Sequence, residues 1–294
     1  MKSIIFTLPG NEILGKKIAT GLNAEIGIYN LRNFPDGESY VRVDSNVEDK
    51  EIIVVCTLHQ PDEKLLPLFF LCKLLKELKA KRIILLSPYL AYMRQDKRFN
   101  SGEAITSNYF ASLVSGFVDH LITVDPHLHR RNSLSEIYTI SSQVIHAANH
   151  ISGWIKNNID KPLLVGPDSE SEQWVSEVAN QAGAPFIILE KIRRGDIDVE
   201  VSIPHVEQYK EYTPILVDDI ISTARTMIET VNHLKSSGMK PVICIGVHAV
   251  FANNAYKELM NAGALKIVTC NTIQHESNLI DLSDEMIGLL KQNG

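Results

Sequence analysis

The chain has 294 residues, of which 45% are hydrophobic, so it can bury the cores of two domains of ordinary size and is not a disordered protein. Its 29 basic and 35 acidic residues give a net charge of −6 without a basic block, so we expect no general nucleic-acid binding. The 4 cysteines lack metal-ligand spacing and are expected to be reduced core residues.

Two apolar segments predict a strand and a helix of the folded protein rather than a signal peptide or a membrane span. Residues 2–8 are too short for the apolar core and cleavage site of a signal peptide, and they predict a first strand. The longest apolar stretch, residues 65–78, is interrupted by charged residues, so it predicts a buried helix with Asp62 as its N-cap rather than a membrane span. We therefore expect a cytoplasmic protein with no membrane partner.

Short apolar strands recur between helical segments along the chain. They are predicted at residues 52–56, 82–86, 121–124, 163–165, 186–189, 215–217, 242–247 and 267–270. This alternation favours an α/β fold in which crossover helices connect parallel strands. An acid or imidazole follows several strands on both sides of residue 150, which suggests two related halves, and a helix at residues 143–158 is expected to connect them.

Residues 215–226, ILVDDIISTART, form the most informative segment. An apolar strand leads into Asp218 and Asp219, then into a hydroxyl-rich turn, and a helix is predicted at residues 227–238. The start of a helix offers unpaired N–H groups and the positive end of the helix dipole to a phosphate. Carboxylates at a strand end suit ribose hydroxyls or a metal. The segment therefore predicts a site for a phosphorylated sugar.

This segment resembles the phosphoribosyl pyrophosphate binding loop shared by type I phosphoribosyltransferases and ribose-phosphate pyrophosphokinases. The family usually has glycine where Arg225 stands, so this position either adds a charge for the phosphate or alters the loop geometry. The resemblance implies ribose 5-phosphate contacts from Asp218, Asp219, Ser222, Thr223, Ala224, Arg225 and Thr226.

Residues 87–98, SPYLAYMRQDKR, place three cations in one loop after a predicted strand. Such a loop can hold a triphosphate, because a guanidinium pairs with phosphate oxygens in a bidentate manner. The segment resembles the ATP-binding stretch of ribose-phosphate pyrophosphokinases, which ordinary phosphoribosyltransferases lack, and the likeness continues through residues 103–106. It implies ATP contacts from Arg94, Gln95 and Asp96.

Residues 33–38, NFPDGE, read as a β-turn before an alternating strand at residues 39–43. They also resemble a loop that, in ribose-phosphate pyrophosphokinases, reaches across a subunit interface to adenine. The resemblance implies that Phe34 packs against the base of ATP and that Asp36 and Glu38 accept hydrogen bonds from its amino group. It also implies a homodimer or higher homo-oligomer with a shared ATP site.

Two strand-end residues resemble the family's metal-binding positions. His127 matches a histidine that helps to bind magnesium nucleotide, and Asp168 matches an acid near the ribose and a metal. The resemblance implies that both are Mg²⁺ ligands, and this sparse set suits a metal whose other ligands are phosphate and water. Residues 128–134 replace a glutamine-rich stretch of the bacterial and animal class, which indicates a divergent or archaeal-like branch.

Residues 190–195, EKIRRG, resemble the catalytic flexible loop of the same family, with Lys191 and Arg193 as the implied catalytic residues. The implied reaction is attack of the anomeric hydroxyl of ribose 5-phosphate on the β-phosphorus of ATP, with release of AMP. Cations that close over the reacting phosphate would stabilise its developing charge and exclude water.

Together the motifs imply an α/β protein of two tandem type I phosphoribosyltransferase-like domains with mainly parallel sheets. Residues 1–145 would bind ATP and residues 146–294 ribose 5-phosphate, with the last helix able to pack on the first domain. Two alternatives stay open. A phosphoribosyltransferase has no use for residues 94–96 or the Phe34 loop, whereas a non-catalytic regulatory paralogue would bind phosphates without turnover.

Overall fold

The computed structural model describes residues 3–128, 130–166, 171–194, 198–202 and 206–293. The chain divides into two compact units, Met1–Ile145 with Ser283–Gly294 and His146–Leu282. Each unit contains a six-stranded sheet with parallel strand pairs, so the predicted α/β class is confirmed.

The first unit alternates strands and helices, apart from one hairpin. Its sheet has the order β2-β1-β5-β6-β7-β8, and β3 and β4 form the separate antiparallel hairpin. The elements are β1 (Ile4–Thr7), α1 (Glu12–Leu22), β2 (Glu25–Ile26), β3 (Tyr29–Asn33), β4 (Ser39–Val43), β5 (Glu51–Val55), α2 (Asp62–Glu77), β6 (Arg82–Ser87), α3 (Thr106–Ser115), β7 (His120–Val124) and β8 (Ser141–Ile145).

The second unit repeats this alternation. Its sheet has the order β10-β9-β13-β14-β15-β16, and β11 and β12 form an antiparallel hairpin. The elements are α4 (Ala148–Asn158), β9 (Pro162–Gly166), α5 (Glu172–Ala182), β10 (Phe186–Ile188), β11 (Glu190–Arg194), β12 (Asp198–Ser202), β13 (Thr213–Ile220), α6 (Arg225–Ser236), β14 (Ile243–His248), α7 (Ala255–Ala262), β15 (Lys266–Cys270) and β16 (Asn278–Ile280).

The central strands are buried on both faces. Successive side chains of a strand point to opposite faces, and the neighbouring residues Ile52 and Ile53 of β5, like Ile83 and Ile84 of β6, are almost wholly buried. Near-continuous apolar runs of this kind are typical of parallel strands covered on both sides, which is why these strands were predictable from the sequence.

The last helix, α8 (Ser283–Asn293), belongs with the first unit. It packs on α1, where a Cβ added to Gly21 would lie 2.4 Å from Ile287 Cδ1. The guanidinium of Arg82 donates to the backbone oxygen of Asn293 at 2.8 Å. Chain order therefore does not decide which unit this helix joins.

Three helix predictions differ from the structure. The helix predicted at residues 227–238 is α6, which begins at Arg225 and ends at Ser236. The predicted helix at residues 143–158 begins only at Ala148, because Ser141–Ile145 forms edge strand β8 and pairs with β7. The helix predicted at residues 65–78 is α2, in which Asp62 is the first helical residue and Pro61 occupies the N-cap. Asp62 therefore lies in the first turn, where the positive end of the helix dipole stabilises a carboxylate.

All 4 cysteines are free and buried, as the sequence predicts. Among the helices of the described residues, none is long and apolar enough to cross a membrane.

Parallel pairing brings the carboxyl ends of neighbouring strands to one edge of each sheet. In the first unit the loops after β5, β6 and β7 leave from this edge, with Ser87 of β6 opposite Thr123 of β7. In the second unit β13 lies between β9 and β14, with Leu216 of β13 opposite Val165 of β9. The segments predicted to bind substrates therefore follow neighbouring strand ends within each unit.

Candidate active site

The loop between β6 and α3, residues 88–105, is anchored where it begins. The carbonyl oxygen of Tyr89 accepts the Leu58 N–H at 2.9 Å and the Ser87 hydroxyl at 2.9 Å. The Tyr92 hydroxyl donates to the Asp62 carboxylate, and the Met93 side chain is buried. The first part of this loop is therefore held against the neighbouring β5–α2 connection.

Glu103 closes the other end of the same loop. Its carboxylate accepts the N–H groups of Phe99 at 2.8 Å and Asn100 at 3.0 Å, and it also accepts the Asn100 side-chain amide at 2.6 Å. Hydrogen bonds from Asn100 and Phe99 hold the pKa of Glu103 below its usual range, because they stabilise the ionised carboxylate. Glu103 thus fixes the turn that carries the cations.

The three residues predicted to bind ATP in this loop differ in their exposure and in their partners. The Arg94 side chain is exposed and has no hydrogen-bond or ion-pair partner among the residues that the structure describes. The Gln95 side-chain amide donates to Glu103 at 3.4 Å. The Asp96 side chain is only 3% exposed, and its carboxylate pairs with Arg130 at 3.1 Å. Arg94 is therefore the one of the three that is presented to solvent.

His127 lies just beyond the end of β7, in a strained stretch of backbone. Asp125 and His127 both have positive φ, 29° and 53°, and the His127 N–H donates to the Asp125 carbonyl at 2.9 Å. Residues without glycine's freedom rarely adopt such angles, and those that do cluster at functional sites. The half-buried His127 imidazole therefore lies at a position consistent with ligand binding.

The β3–β4 hairpin presents a compact tip at residues 34–38. The Phe34 N–H donates to the Glu38 carbonyl at 2.7 Å, and the Glu38 N–H donates to Asp36 Oδ1 at 3.2 Å. The Phe34 ring is 41% exposed, and the Arg32 guanidinium lies 4.7 Å from its centroid. Arg32 also lies 4.4 Å from the Tyr40 ring. The tip therefore combines an exposed aromatic face with two exposed carboxylates.

In the second unit, Asp218 and Asp219 occupy the carboxyl end of β13. Both residues are half-buried, and Asp218 Oδ1 accepts the Asp219 N–H at 2.9 Å. Asp218 lies opposite Gly246 of β14, whose missing side chain leaves room for the turn: a Cβ there would lie 2.6 Å from Ile221 Cγ1. The sequence therefore places two carboxylates beside a closely packed turn.

The turn after β13 is held by the segment that follows β14. The Ile221 N–H donates to the His248 carbonyl at 3.1 Å. The Phe251 N–H donates to the Ile221 carbonyl at 2.8 Å, and the Ala252 N–H donates to the Ser222 carbonyl at 3.1 Å. These backbone bonds define the shape of the predicted phosphate loop without using its side chains.

Ala224, and not Arg225, takes the unusual backbone conformation in this loop. Ala224 has φ 55° and is the N-cap of α6, whereas Arg225 is the first helical residue and is not among the residues with positive φ. Ser222 is half-buried, and Thr223, Arg225 and Thr226 are exposed. Arginine in place of the family's usual glycine at position 225 therefore causes no left-handed strain. Its effect on the loop is to add a positive charge.

Three of the predicted site residues are described only in part or not at all. Asp168 lies outside the described residues, although the strand that precedes it, β9, is adjacent to β13. The backbones of Lys191 and Arg193 belong to β11, paired with Val201 and Val199 of β12, and their side chains lie outside the description. The backbone of residues 190–194, which the resemblance implied to be a flexible catalytic loop, thus forms one strand of an antiparallel hairpin.

Comparison with known proteins yields two consecutive family matches. The N-terminal domain of ribose phosphate pyrophosphokinase matches residues 3–117, and the phosphoribosyl transferase domain matches residues 133–285. A curated ribose-phosphate pyrophosphokinase of Methanobrevibacter smithii is 32% identical over 293 residues, covering 96% of this chain and 97% of that protein. The chain belongs to the ribose-phosphate pyrophosphokinase family.

Other relatives agree with this membership. The ribose-phosphate pyrophosphokinase of Sulfurisphaera tokodaii is 33% identical over 256 residues, covering 85% of this chain and 86% of that protein. Many of the relatives are archaeal, which confirms the predicted branch. A crystal structure of phosphoribosylpyrophosphate synthetase from Mycobacterium smegmatis has a TM-score of 0.86 and 24% identity, covering 100% of both chains, and shows the same fold. Family membership identifies the chain as an enzyme of phosphoribosyl pyrophosphate synthesis.

Ribose-phosphate pyrophosphokinases use Mg²⁺. Among the described residues, no group of three or more His, Cys, Asp or Glu side chains could hold a metal by itself. In the first unit, the half-buried imidazole of His127 is a single donor at a strand end. Because Mg²⁺ retains water and takes phosphate ligands from its substrates, such a sparse donor fits a metal that arrives with the nucleotide.

Arg130 and Arg131 were not predicted to take part in the site. Both contact residue 96, and Arg131 also reaches α3 through Asn108 Oδ1 at 2.8 Å. The signal for them was the departure at residues 128–134 from the family's usual sequence. Arg32 and Tyr40, beside Phe34, were missed for a different reason, because cross-strand neighbours depend on the register of the hairpin.

Proposed function

We propose that this enzyme transfers the diphosphoryl group of ATP to the anomeric hydroxyl of ribose 5-phosphate, giving 5-phosphoribosyl 1-pyrophosphate and AMP. The observation that carries the proposal is that each unit has its own substrate motif after a parallel strand. Residues 94–96 follow β6, and residues 218–226 span the end of β13 and the start of α6. A phosphoribosyltransferase would need only the second motif.

The reaction forms one bond and breaks one. The anomeric oxygen of the sugar attacks the β-phosphorus and loses its proton. The bond between that phosphorus and the oxygen bridging the α and β phosphates breaks, and AMP leaves with the electron pair. Negative charge grows on the bridging and non-bridging oxygens, so the enzyme must supply cations and hydrogen-bond donors around the phosphates.

The nucleotide is assigned to residues of the first unit. The exposed guanidinium of Arg94 suits bidentate contact with phosphate oxygens, and Gln95 and Asp96 shape the loop that carries it. Phe34 offers an exposed ring for the adenine base, and the exposed carboxylates of Asp36 and Glu38 suit its amino group.

Ribose 5-phosphate is assigned to the β13–α6 connection. Asp218 and Asp219 suit the ribose hydroxyls, since carboxylates accept hydrogen bonds. The 5-phosphate is assigned to the N–H groups at the start of α6, with further contacts from Ser222, Thr223, Ala224, Arg225 and Thr226. The exposed, cationic Arg225 supports this assignment.

Lys191 and Arg193 are assigned as the catalytic cations that stabilise the transferring phosphoryl group. Mg²⁺ would be held by His127 and Asp168 together with substrate oxygens, where it neutralises phosphate charge. Lys191 and Arg193 would orient the nucleotide and keep water from the reacting phosphorus.

The exposed Phe34 tip also supports a homo-oligomer. An aromatic ring that a chain leaves uncovered is suited to packing against a neighbouring subunit and its ligand. We assign a homodimer or higher homo-oligomer with a shared ATP site, acting in the cytoplasm on small substrates, with no nucleic acid or membrane as partner.

A labelling experiment tests the reaction. Purified protein is incubated with Mg²⁺, ribose 5-phosphate and ATP labelled at the β-phosphorus. The expected result is label in 5-phosphoribosyl 1-pyrophosphate and unlabelled AMP in equal amounts. A phosphoribosyltransferase would instead need a base and consume phosphoribosyl pyrophosphate, and a regulatory paralogue would release no AMP; either result contradicts the proposal.

A further inference from the structure

We propose that Arg130 and Arg131 are positioning residues of the nucleotide site, which hold the β6–α3 loop in the shape that presents Arg94 to the ATP phosphates. The proposal rests on the ATP site assigned above and adds two residues to it. Neither is expected to touch the nucleotide; both act through Asp96 and the start of α3.

The Arg130–Asp96 pair is the first contact that carries the inference. Arg130 Nη1 lies 3.1 Å from Asp96 Oδ1 and 3.4 Å from Oδ2, so one donor serves both carboxylate oxygens. The Arg130 side chain is 39% exposed, whereas that of Asp96 is 3% exposed. Since the Asp96 side chain is little exposed, loss of Arg130 would leave a carboxylate that has little contact with water and no ion-pair partner, which disfavours this shape of the loop.

Arg131 joins the same loop to α3. Its Nη2 donates to Asn108 Oδ1 at 2.8 Å and reaches the Asp96 carbonyl and the Ser107 hydroxyl, both at 3.4 Å. Ser107 in turn donates its backbone N–H to the Gln95 carbonyl at 3.3 Å. The 15% exposed Arg131 side chain therefore fixes where the loop meets the helix.

These contacts flank Arg94 on its C-terminal side, and the buried Met93 anchors it on the other. Arg94 is consequently an exposed cation on a turn whose neighbours are fixed. Pre-organisation matters here, because a displacement of about 1 Å in a group that positions a substrate can cost about 100-fold in rate. Arg94 would thus contact the phosphate, whereas Arg130 and Arg131 would hold Arg94 in position.

The location of the two arginines gives the proposal its specificity for this chain. They lie in residues 128–134, immediately after His127, so one short segment both follows a predicted ligand and grips the phosphate loop of the neighbouring strand. Positioning of this kind links the loops after β6 and β7, whose strands are hydrogen-bonded neighbours.

Steady-state kinetics distinguish positioning from general stability. For Arg130→Gln and Arg131→Gln we expect the KM for ATP to rise about tenfold while the KM for ribose 5-phosphate changes by less than about twofold. Arg130→Lys, which keeps the charge, is expected to recover part of the loss. The control is Lys76→Gln, which breaks an ion pair with Asp119 at 2.9 Å; its basic side chain is 33% exposed, much like that of Arg130, but its carboxylate is 39% exposed and does not need the partner. Equal changes in both KM values, or none, would overturn the proposal.

A double-mutant cycle tests whether Asp96 and Arg130 act as one unit. If they do, Asp96→Asn, Arg130→Gln and the double variant will raise the KM for ATP by similar factors, because the second change removes nothing further. If Asp96 binds the nucleotide directly, its variant will be the more damaging and the two effects will multiply, which contradicts the positioning role.

Limited trypsin digestion provides a readout that needs no turnover. We expect cleavage after Arg94, Lys97 and Arg98 to be faster in Arg130→Gln than in the wild type or Lys76→Gln, and melting temperatures of both variants to remain close. Unchanged cleavage would overturn the positioning role. Failure of the wild type to release AMP would instead refute the proposed reaction, and the digestion would still decide whether the arginines hold the loop.

Discussion

Ala224 takes a left-handed conformation, φ 55°, and Arg225 directly after it begins α6. A guanidinium in the first turn opposes the positive end of the helix dipole, and no acidic residue of that turn compensates for it. Without a bound anion, the interaction of Arg225 with the helix dipole is therefore unfavourable. When an anion binds at the start of α6, the guanidinium attracts it and stabilises the complex.

Arg225→Glu should consequently separate stability from function. Without substrate, we expect the free energy of unfolding to rise by about 0.5–1 kcal/mol, because a carboxylate suits the helix start. The KM for ribose 5-phosphate should rise at least about tenfold, because like charges now meet at the phosphate. Denaturant titration and steady-state kinetics measure the two effects. Lys235→Gln, in the last turn of α6, is the control and should leave this KM unchanged.

Lys191→Ala tests the assigned catalytic cation. We expect turnover to fall by about 100-fold to 1,000-fold, the usual effect of removing one group that stabilises transition-state charge. The KM values and the melting temperature should change little. Lys156→Ala, on the exposed side of α4, is the control. Wild-type turnover in a folded Lys191→Ala variant would exclude this residue from the chemistry.

Glu103→Ala tests the turn that carries Arg94. Because the Glu103 carboxylate accepts bonds from Phe99 and Asn100, its removal should loosen the loop and raise the KM for ATP by roughly tenfold. The KM for ribose 5-phosphate should stay constant. Glu77→Ala removes an exposed carboxylate from α2 and should alter neither value. A larger effect on ribose 5-phosphate than on ATP would contradict the assignment.

His59 predicts a pH-dependent component of stability. Burial, assisted by the nearby Lys64 ammonium, lowers the pKa of His59 to about 4. Its Nδ1 lies 2.9 Å from Lys64 Nζ, which also donates to the Thr57 carbonyl at 2.9 Å. The folded state therefore resists protonation of this ring, whereas the unfolded chain takes up a proton near pH 6.5.

The direction of the pH dependence follows from this difference between the pKa of His59 in the folded state and in the unfolded state. Stability contributed by neutral His59 is present above about pH 6.5 and is lost as the pH falls towards about 4. The slope should be well below its limit of about 1.4 kcal/mol per pH unit, because the ring is partly exposed. His59→Asn keeps an acceptor for Lys64 but cannot be protonated, so its free energy of unfolding should fall less over this range. Identical pH profiles of the two proteins would contradict the prediction.

The strands and the polar residues at their ends were predictable because both signals are local. Residues 83–86 and 215–217 are apolar runs buried on both faces, and the carboxyl edge of a parallel sheet is where such folds bind ligands. The helix predicted at residues 227–238 is found as α6, Arg225–Ser236, two residues earlier at each end.

Contacts that depend on tertiary structure were not predictable in this way. The Arg130–Asp96 pair joins residues 34 positions apart, and β8 is a strand only because β7 offers it a partner. Ala224, with its unusual φ, follows a turn whose Ile221 and Ser222 form backbone bonds with the segment after β14, which the motif does not reveal. In each case the deciding interaction comes from a neighbouring strand or loop.

Subunit mixing tests the shared ATP site. Phe34→Ala should raise the KM for ATP about tenfold or more, since stacking on a base contributes about 1–3 kcal/mol, with little effect on folding because the ring is 41% exposed. At ATP concentrations below this KM, Phe34→Ala and Lys191→Ala are each poorly active. If the hairpin of one subunit serves the catalytic residues of another, mixed dimers contain one site with both residues intact, and a random equal mixture recovers about a quarter of wild-type activity.

The control for this mixture is the double variant Phe34→Ala with Lys191→Ala, mixed with Phe34→Ala. No hairpin in that mixture carries Phe34, so no activity should return. Recovery only in the first mixture requires exchange of a hairpin between subunits, because neither chain alone holds both residues. Absence of recovery, after subunit exchange has been verified by mass, would mean that each chain uses its own Phe34, and the exposed ring would then have to fold back over its own nucleotide.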